Sequence, residues 1–483
     1  MTIGATLPAL AKRKPDAVAI ICDNESVTWG ELWRLVQAVA RDMDARVTGG
    51  RTIALALKNS PSFLAHFFAC AISDCEAAVV DASWPTARLE EALASLSPAL
   101  IYAEAECGIE RAAIPVSASG NWPTIPDAPY RAVDPTHSFY VGFTSGSTGR
   151  PKGYRRNHLS WLRSFEGDQK EFGVTESDIV LAPGSMSYSL FLYAAIHALQ
   201  IGATLLMMRS FHPLRALRMA QQYRATIAYG APTQWRMMLD ADAGPLPHLR
   251  WVLSSGAKWF ATASEDLRRL APGARFAEFY GASELSFVAV RKCEEDCPES
   301  SVGRAFSDVT ITIRKDDGAV APTFEVGRVF VGSPYLFSGY ATHEEPIARF
   351  GEEVSVGDFG FLDAKGYLHL VGRSDRMIVT SGKNVFAEEV ERAIEKAPGV
   401  RACAVFGVPD PVRGQMIVAL IFPDGAPPAG RSELVRALRE QLPLPFVPRK
   451  FGVLPEWRWT ASGKSDFKAL RAAWDESVWE EIP

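Results

Sequence analysis

The chain has 483 residues, of which 47% are hydrophobic and 22% charged, and its net charge is −5 at pH 7. A chain of this length is too long to fold around one ordinary hydrophobic core, so two or three lobes are expected. The composition is that of a globular chain rather than a disordered one. Lysine and arginine are spread along the chain without a basic stripe. The sequence therefore shows no basic surface of the kind that binds nucleic acid, and small molecules are favoured as partners.

The opening third alternates short apolar runs with segments of helical period. Thr28 with Glu31 forms a capping box, and Ser60 precedes a proline at a first helical position. Alternation of this kind predicts parallel sheets that are covered by helices on both faces. The strands are predicted at residues 18–22, 52–57, 77–80 and 99–103.

Residues 139–153, FYVGFTSGSTGRPKG, join an apolar run that predicts a strand to a loop of small hydroxylated residues, glycines and one lysine. The glycines allow backbone N–H groups to turn inward and form an anion cradle. A flexible linker is the alternative, but a linker would be polar throughout. Neither the P-loop spacing nor the dinucleotide fingerprint G-x-G-x-x-G occurs in the chain. The predicted phosphate-binding residues are Thr144, Ser145, Gly146, Ser147, Thr148, Gly149 and Lys152.

Further strands are predicted after this loop, at residues 179–181, 203–208, 226–229, 251–253 and 275–279. Ligands of doubly wound sheets lie at the carboxyl ends of strands, so the turns 254–257 and 280–284 are candidate site segments. The apolar stretch from Leu190 to Met208 is interrupted by His197, Gln200 and Gly202. It therefore predicts a buried helix, a turn and a core strand rather than a transmembrane segment.

Residues 302–371 contain shorter apolar runs and many turn glycines, which predict a small barrel or a distorted antiparallel sheet. The segments that follow predict a compact α+β tail: helix 387–396, strand 402–408, strand 417–422 and helix 433–441. We place the domain boundary at Ser374–Asp375. The expected domains are residues 1–374 and 375–483.

Five motifs, in this order, resemble the adenylate-forming superfamily of acyl-CoA synthetases, adenylation domains and luciferases. The resemblance extends from about Val18 to Leu470 and favours the acyl- or aryl-CoA ligase-like branch. The motifs are TSGSTGRPKG from Thr144, YGASE from Tyr280, VGDFGFLDAKGYLHLVGRSD from Val356, SGKNVFAEEVE from Ser381 and TASGKSD from Thr460.

The resemblance implies an α/β fold. A large N-terminal lobe of helix-covered, mostly parallel sheets and a small β-barrel-like subdomain would precede a small, mobile α+β C-terminal domain. It also implies an activity that depends on ATP and Mg²⁺. The enzyme would convert a carboxylic acid to acyl-AMP with release of pyrophosphate, and then transfer the acyl group to a pantetheine thiol.

The resemblance also implies roles for single residues. Glu284 would bind Mg²⁺, Ser283 would approach the α-phosphate, and Lys464 would bridge the carboxylate and the α-phosphate. Asp375 matches the hinge between the domains, and Ser381 and Gly382 would lie beside the thiol. Beyond the phosphate loop, the resemblance implies that Tyr280, Gly256 and Ala257 contact adenine, that Asp358 accepts the ribose hydroxyls, and that Arg373 reaches the ribose or a phosphate.

Each of these residues also has an ordinary structural interpretation. Read singly, Glu284 is a solvated loop acid or a partner of Lys152, and Tyr280 is a core tyrosine at a strand end. An aspartate beside glycine, as at Asp358, is a common turn former. Arg373 could form a surface ion pair and Lys464 could be an exposed charge. The order of the five motifs favours the functional interpretation.

The predicted acyl pocket is apolar and aromatic, which suits an aromatic or a medium-length aliphatic acid. Between Ile179 and Leu239 the chain has no Asp or Glu, so a buried α-ammonium group would lack a counter-charge and α-amino acids are disfavoured. The predicted pocket residues are Met186, Tyr188, Tyr229, Gly230 and Ser286.

Three positions depart from the resembling family. Met186 stands where many relatives have histidine or an aromatic residue, Tyr154 replaces a small aliphatic residue, and Trp459 replaces an arginine. None of these changes removes a catalytic group. They indicate a distinct branch of the family.

The acceptor is expected in trans, as CoA or as the phosphopantetheine of an acyl carrier protein. A freestanding adenylation enzyme that loads a carrier protein in a natural-product pathway is one alternative, and a non-catalytic nucleotide-binding protein is another. Intact Glu284, Asp358 and Lys464 argue against the second. Seven scattered cysteines and the absence of a signal peptide in residues 1–14 indicate a reducing, cytoplasmic location.

Overall fold

The structure is a computed structural model that describes residues 1–47, 50–109, 113–116, 132–145, 151–241, 243–255, 263–292, 296–342, 347–381, 383–425, 429–460 and 465–482. The chain divides into two compact units. The first unit comprises Met1–Ile311 and Val331–Val354, and the second comprises Thr312–Phe330 and Ser355–Pro483.

The first unit contains a sheet of nine strands within the described residues. Its strands between Arg275–Ala282 and Val18–Cys22 pair in parallel, and the pairs at both edges are antiparallel. From one edge to the other the strands are Arg304–Ala305, Ser286–Lys292, Arg275–Ala282, Trp251–Ser255, Ile227–Gly230, Ile179–Ala182, Thr204–Met207, Val18–Cys22 and Glu25–Thr28.

A second sheet of the first unit has seven strands in the described part of the chain. The pairs from Ser138–Ser145 to Ile114–Pro115 are parallel, and the two pairs at the other edge are antiparallel. In spatial order the strands are Gly339–Tyr340, Pro151–Asn157, Ser138–Ser145, Glu76–Val79, Thr52–Ala56, Leu100–Ala103 and Ile114–Pro115. The predicted helix-covered, mostly parallel α/β fold is confirmed.

The helices of the first unit follow the predicted signals. The Thr28 hydroxyl accepts from the Glu31 amide while the Glu31 carboxylate accepts from the Thr28 amide, so the capping box forms. The Ser60 hydroxyl accepts from the Phe63 amide. The helices are Leu7–Arg13, Trp29–Arg46, Pro61–Ile72, Thr86–Leu96, His158–Phe172, Ser189–Ile201, Pro213–Gln222, Pro232–Ala241 and Ala263–Leu270.

The apolar stretch at residues 190–208 folds as predicted. Its helix Ser189–Ile201 ends at Gly202, whose φ of +90° suits glycine, and strand Thr204–Met207 follows. The side chains of Phe191 and Leu192 are buried in the core. In the described ranges, no helix combines the length and the apolarity that crossing a bilayer requires.

In the described part of the predicted antiparallel region, six short strands form one sheet, while Arg304–Ala305 and Gly339–Tyr340 join the two sheets of the first unit. The division between the two units passes through this region. Within the second unit, Asp358–Leu362 pairs antiparallel with Leu368–Arg373 and with Gly327 and Arg328. The strands are Thr310–Arg314, Gly327–Gly332, Ala348–Phe350, Glu353–Ser355, Asp358–Leu362 and Leu368–Arg373.

The second unit contains the predicted α+β tail. The strands around its core, in spatial order, are Lys383–Phe386, Met377–Thr380, Gly414–Pro423, Lys450–Val453 and Glu480–Glu481, and Val400–Asp410 also pairs with Gly414–Pro423. Its helices are Ala387–Ile394, Arg431–Arg439 and Phe467–Asp475.

The boundary at Ser374–Asp375 stays a prediction. A 3₁₀ turn occupies Ser374–Arg376. Residues 312–330 and 355–374 belong to the same compact unit as the C-terminal residues. A hinge is defined by rotation rather than by packing density, so this grouping does not locate one.

Candidate active site

Thr144 and Lys152 lie opposite each other in an antiparallel pair of strands. Ser145 pairs with Pro151 in the same ladder, so the two strands bring both described ends of the predicted phosphate loop together. Gly146, Ser147, Thr148 and Gly149 lie outside the described residues, as does the side chain of Ser145. The ladder thus places Lys152 next to Thr144.

Lys152 and Glu284 are connected through Tyr340. The Lys152 ammonium group lies 3.9 Å from the centroid of the Tyr340 ring. The Tyr340 hydroxyl donates to Glu284 Oε1 at 3.1 Å. A cation and a carboxylate that the sequence assigned to phosphate and metal binding therefore share one aromatic neighbour. The sequence analysis did not single out Tyr340, which lies in an otherwise unremarkable two-residue strand.

Glu284 is carried at the tip of a β-hairpin. The strands Arg275–Ala282 and Ser286–Lys292 pair antiparallel, and Ala282 pairs with Ser286. Ser286 has a left-handed φ of +62°, as expected for a three-residue hairpin loop. A Cβ atom on Gly281 would lie 2.1 Å from the Ser286 carbonyl oxygen, so only glycine fits there. This hairpin holds Ser283 and Glu284 at the end of the sheet.

A buried arginine supports the same hairpin. Arg156 is only 3% exposed, and its guanidinium donates to the carbonyl oxygens of Ser283 at 3.2 Å and Tyr335 at 2.6 Å. Burial lowers the pKa of Arg156 to about 10, while nearby tyrosines and Glu284 oppose this shift. The backbone beside Glu284 is thereby fixed from within the core, by a residue that sequence reasoning passed over.

Tyr154, which departs from the family pattern, is also part of this support. It is buried, and its hydroxyl lies 3.1 Å from that of Tyr140. Burial raises the pKa of Tyr154, and hydrogen bonds with Tyr140, Ser283 and Ser189 partly oppose that shift. Tyr154 thus contacts the Ser283 side chain.

Tyr280 lies beside the end of the neighbouring strand, where adenine is predicted to bind. Ser255 pairs with Phe279, and its hydroxyl donates to the Phe279 carbonyl oxygen at 2.9 Å. Ser255, which ends its strand, is therefore adjacent to Phe279, which precedes Tyr280. Gly256 and Ala257 lie outside the described residues, so their contacts stay predictions.

The predicted ribose residues belong to the second unit. Asp358 and Arg373 are opposite each other in the antiparallel ladder. Arg373 Nε lies 3.6 Å from Asp358 Oδ1 and 3.4 Å from Asp375 Oδ1. Arg373 therefore contacts both the predicted ribose carboxylate and the predicted hinge residue, so the surface ion pair considered for Arg373 also forms.

Ser381 is exposed on the second unit and has a left-handed φ of +50°. It borders a groove of about 240 Å³ that Arg413, Arg449 and Leu444 also line. Gly382 and Lys464 lie outside the described residues. Trp459 and Ser465, on either side of the lysine loop, form a β-bridge.

Four of the predicted acyl-pocket residues lie at the carboxyl ends of two central strands of the nine-stranded sheet. Strands Ile179–Ala182 and Ile227–Gly230 are parallel neighbours. Met186 and Tyr188 follow the first, and Tyr229 and Gly230 end the second. The amide of Met186 donates to the Asn59 side chain at 2.8 Å, which holds this loop in place.

One buried carboxylate contacts a pocket residue and was missed by the sequence analysis. The Tyr229 hydroxyl donates to Asp168 Oδ2 at 3.0 Å, and Asp168 has no exposed surface. Segment 179–239 contains no Asp or Glu, but Asp168 lies outside it, in the preceding helix His158–Phe172. Helix packing, not sequence proximity, brings this acid to Tyr229.

Two family models cover most of the chain. The model described as AMP-binding enzyme matches residues 7–341, and the one described as AMP-binding enzyme C-terminal domain matches residues 389–464. The first match alone covers more than half of the sequence.

Known proteins resemble the chain over almost its whole length. It is 33% identical over 485 residues to the uncharacterized acyl-CoA ligase YhfT of Bacillus subtilis (strain 168), covering 99% of each chain. It is 29% identical to feruloyl-CoA synthase of Amycolatopsis sp, covering 94% of this chain and 95% of the relative. The solved structure of o-succinylbenzoate CoA synthetase from Bacillus subtilis, in complex with the acyl-adenylate intermediate OSB-AMP, superposes with a TM-score of 0.85 at 23% identity, covering 98% of both chains.

Proposed function

Because the chain belongs to the AMP-binding enzyme family and is an AMP-forming acid–thiol ligase, we propose that it activates an aromatic or medium-length aliphatic carboxylic acid as acyl-AMP and then transfers the acyl group to CoA. The observation that carries the proposal is the placement of Lys152 and Glu284 around Tyr340. Joining a carboxylate to a polyphosphate brings anions together, so a site for this reaction needs positive charge and a metal-binding acid close to one another.

The residues around Glu284 fit a magnesium ion that is shared with ATP. Mg²⁺ is usually held by one or two carboxylates together with substrate phosphates and waters, so one protein carboxylate is sufficient. Tyr340 donates to one oxygen of Glu284. In the described ranges no cluster of three or more His, Cys, Asp or Glu could hold a metal without such help. The ion would neutralise phosphate charge, while Lys152 would bind the phosphates from strand Pro151–Asn157 of the seven-stranded sheet.

The remaining residues would orient the reactants. Ser283 would donate to the α-phosphate from the hairpin that Arg156 holds. Asp358 would accept the ribose hydroxyls, with Arg373 next to it. Lys464 would bridge the acid and the α-phosphate during adenylation, and Ser381 with Gly382 would lie along the path of the thiol. These roles rest on the motifs and on the described contacts of each residue.

Several observations support the choice of acid and acceptor. The apolar and aromatic pocket segments suit an aryl or alkyl acid, and one relative is a feruloyl-CoA synthase. CoA is the acceptor in that relative's name and in those of other acyl-CoA ligases, so we favour it over a carrier protein. The described cysteines are free thiols, which supports a reducing, cytoplasmic location.

The test is acid-dependent exchange of labelled pyrophosphate into ATP over a panel of carboxylic acids, followed by product analysis with CoA and with carrier proteins. We expect exchange with aryl or alkyl acids, a lower kcat/KM for each α-amino acid than for its des-amino analogue, and an acyl-CoA product. A higher kcat/KM for an α-amino acid would reverse the predicted substrate class. If none of the acids stimulates exchange, the result would favour a non-catalytic nucleotide-binding protein.

A further inference from the structure

The two charged residues of the candidate site are carried by different sheets of the first unit. Lys152 lies on strand Pro151–Asn157 of the seven-stranded sheet. Glu284 lies at the tip of the hairpin that belongs to the nine-stranded sheet. The distance between the two charges therefore depends on how the two sheets are joined beside the site, because the ladder of either sheet fixes only one of them.

Residues 337–342 join the two sheets at this place. At one end, the Phe337 amide donates to the Glu284 carbonyl oxygen at 2.9 Å. At the other end, the Ala341 amide donates to the Gly153 carbonyl oxygen at 2.8 Å. The backbone of this segment is thus hydrogen-bonded both to the hairpin tip and to the residue that follows the loop lysine.

Tyr340 lies within this segment, and its side chain contacts both charged groups. It pairs with Tyr154 in an antiparallel ladder, which fixes its backbone at the edge of the seven-stranded sheet. Phe337 packs against its ring, with the centroids 5.0 Å apart. From this position its hydroxyl donates to Glu284 Oε1 at 3.1 Å, and its ring centroid lies 3.9 Å from the Lys152 ammonium group.

We propose that Tyr340 is a positioning residue that sets the spacing between the phosphate-binding lysine and the metal-binding carboxylate. Its hydroxyl would orient Glu284, and a carboxylate that accepts one hydrogen bond still has lone pairs for a metal ion, because it offers about four acceptor sites. Its ring would hold the Lys152 ammonium group in place through a cation–π contact. The two contacts use different parts of one side chain, so they can be removed separately.

This inference rests on the proposed roles of Lys152 and Glu284, and it is tested by binding rather than by turnover. The dissociation constant of ATP is measured by calorimetry without an acid substrate, once with Mg²⁺ and once with EDTA. The ratio of the constant in EDTA to the constant in Mg²⁺ is the metal effect. The constant in EDTA by itself reports the contacts that the protein makes with the nucleotide without the ion.

Two variants separate the two contacts. Tyr340→Phe removes the hydroxyl and keeps the ring, so we expect the metal effect to fall by about 5-fold or more while the constant in EDTA keeps its wild-type value. Tyr340→Leu removes the ring as well, so the constant in EDTA should also rise by about 3-fold. A residue with a merely structural role would not divide its effects between the metal ion and the nucleotide in this way.

The matched control is Tyr102→Phe. The Tyr102 hydroxyl donates to Asp42 Oδ2 at 3.1 Å, so this variant also removes a hydrogen bond of the same length between a tyrosine and a carboxylate. Tyr102 lies on strand Leu100–Ala103 and Asp42 on helix Trp29–Arg46, outside the candidate site. Both constants should keep their wild-type values, and circular-dichroism melts show whether each variant is folded.

Three results in folded variants would overturn the inference. An unchanged metal effect in Tyr340→Phe would show that the hydroxyl does not orient Glu284, and an unchanged constant in EDTA for Tyr340→Leu would show that the ring does not hold Lys152. An equal loss of the metal effect in Tyr102→Phe would make the effect unspecific. Each of these results leaves the proposed ligase function standing.

The proposed function can also fail separately. If no acid stimulates pyrophosphate exchange while Mg²⁺ still strengthens ATP binding through Tyr340, the proposed reaction is removed and the positioning role remains. If the wild-type protein binds no ATP, both are removed.

Discussion

At the scale of single residues, Glu284 illustrates how a partly exposed loop acid becomes a candidate metal ligand. Read singly it is a loop acid, and the YGASE motif around it implies the metal role by resemblance. Its position is set by long-range contacts, from Tyr340 to its carboxylate and from the Phe337 amide to its carbonyl oxygen at 2.9 Å. A preorganised carboxylate binds a metal with less loss of side-chain entropy than a free one.

Glu284→Ala should weaken metal-dependent adenylation and leave the fold intact, because a partly exposed loop carboxylate contributes little to the core. We expect the Mg²⁺ concentration for half-maximal exchange to rise and kcat to fall by roughly 10²-fold. Exchange is measured against Mg²⁺ concentration, with Glu299→Ala as the control for losing one exposed carboxylate from the same part of the chain. Wild-type Mg²⁺ dependence and turnover in Glu284→Ala would remove this residue from the site.

At the scale of elements, the hairpin around Ser283 depends on a close approach of two backbones. Gly281 lies against the Ser286 carbonyl oxygen, and Arg156 holds the hairpin tip from inside. Burying a guanidinium is costly unless its donors are satisfied, and here two carbonyl oxygens accept from it. The core is thereby coupled mechanically to the residue that would bind the metal.

Gly281→Ala should disrupt the hairpin, because the added Cβ would lie 2.1 Å from the Ser286 oxygen and the backbone would have to move. A displacement of about 1 Å at a catalytic group costs on the order of 10²-fold in rate, so we expect exchange activity to fall by that amount. The control is Gly273→Ala, where a Cβ would meet no atom within 4 Å.

Both glycine variants are compared by exchange rate and by thermal melting. Gly273→Ala should match the wild type in both measurements. Wild-type activity in Gly281→Ala would show that the hairpin tip tolerates displacement, and the positional argument for Ser283 and Glu284 would then fail.

At the scale of the whole molecule, the two units each carry part of the predicted machinery. Lys152 and Glu284 belong to the first unit, whereas Asp358, Arg373 and Ser381 belong to the second. The resemblance implies that the C-terminal domain presents Lys464 for adenylation and the Ser381–Gly382 segment for thiol transfer. If so, a change to Lys464 should affect only one half-reaction.

Lys464→Ala should lose acyl-AMP formation by roughly 10²-fold or more, the scale for removing a preorganised charge donor, while thiolysis survives. The variant is given a synthetic acyl-adenylate and CoA, and its single-turnover rate is compared with that of the wild type. A circular-dichroism melt excludes unfolding. An equal loss of rate in both half-reactions of a folded variant would mean that Lys464 is structural or acts in both steps. The proposal that the C-terminal domain rotates between the two steps would then have to be withdrawn.

The sequence alone predicted the α/β fold and most strand positions, and its resemblance to a known family implied the reaction class. Local patterns carry this information, since hydrophobic period, capping residues and glycine-rich motifs act over a few neighbouring residues. The capping box at Thr28 and the helix–turn–strand at 189–207 are examples that the structure confirms. The roles of all the predicted site residues stay predictions, and Gly256, Ala257, Gly382 and Lys464 also lie outside the described residues.

Only the tertiary structure determined which distant side chains meet. Tyr340 contacts Glu284 across 56 residues, Arg156 contacts Ser283 across 127, and Asp168 contacts Tyr229 across 61. No local pattern encodes such contacts, because strand order and helix packing set them. For this reason the acid-free segment 179–239 suggested a pocket without carboxylates, whereas the folded chain brings Asp168 to Tyr229 from a neighbouring helix.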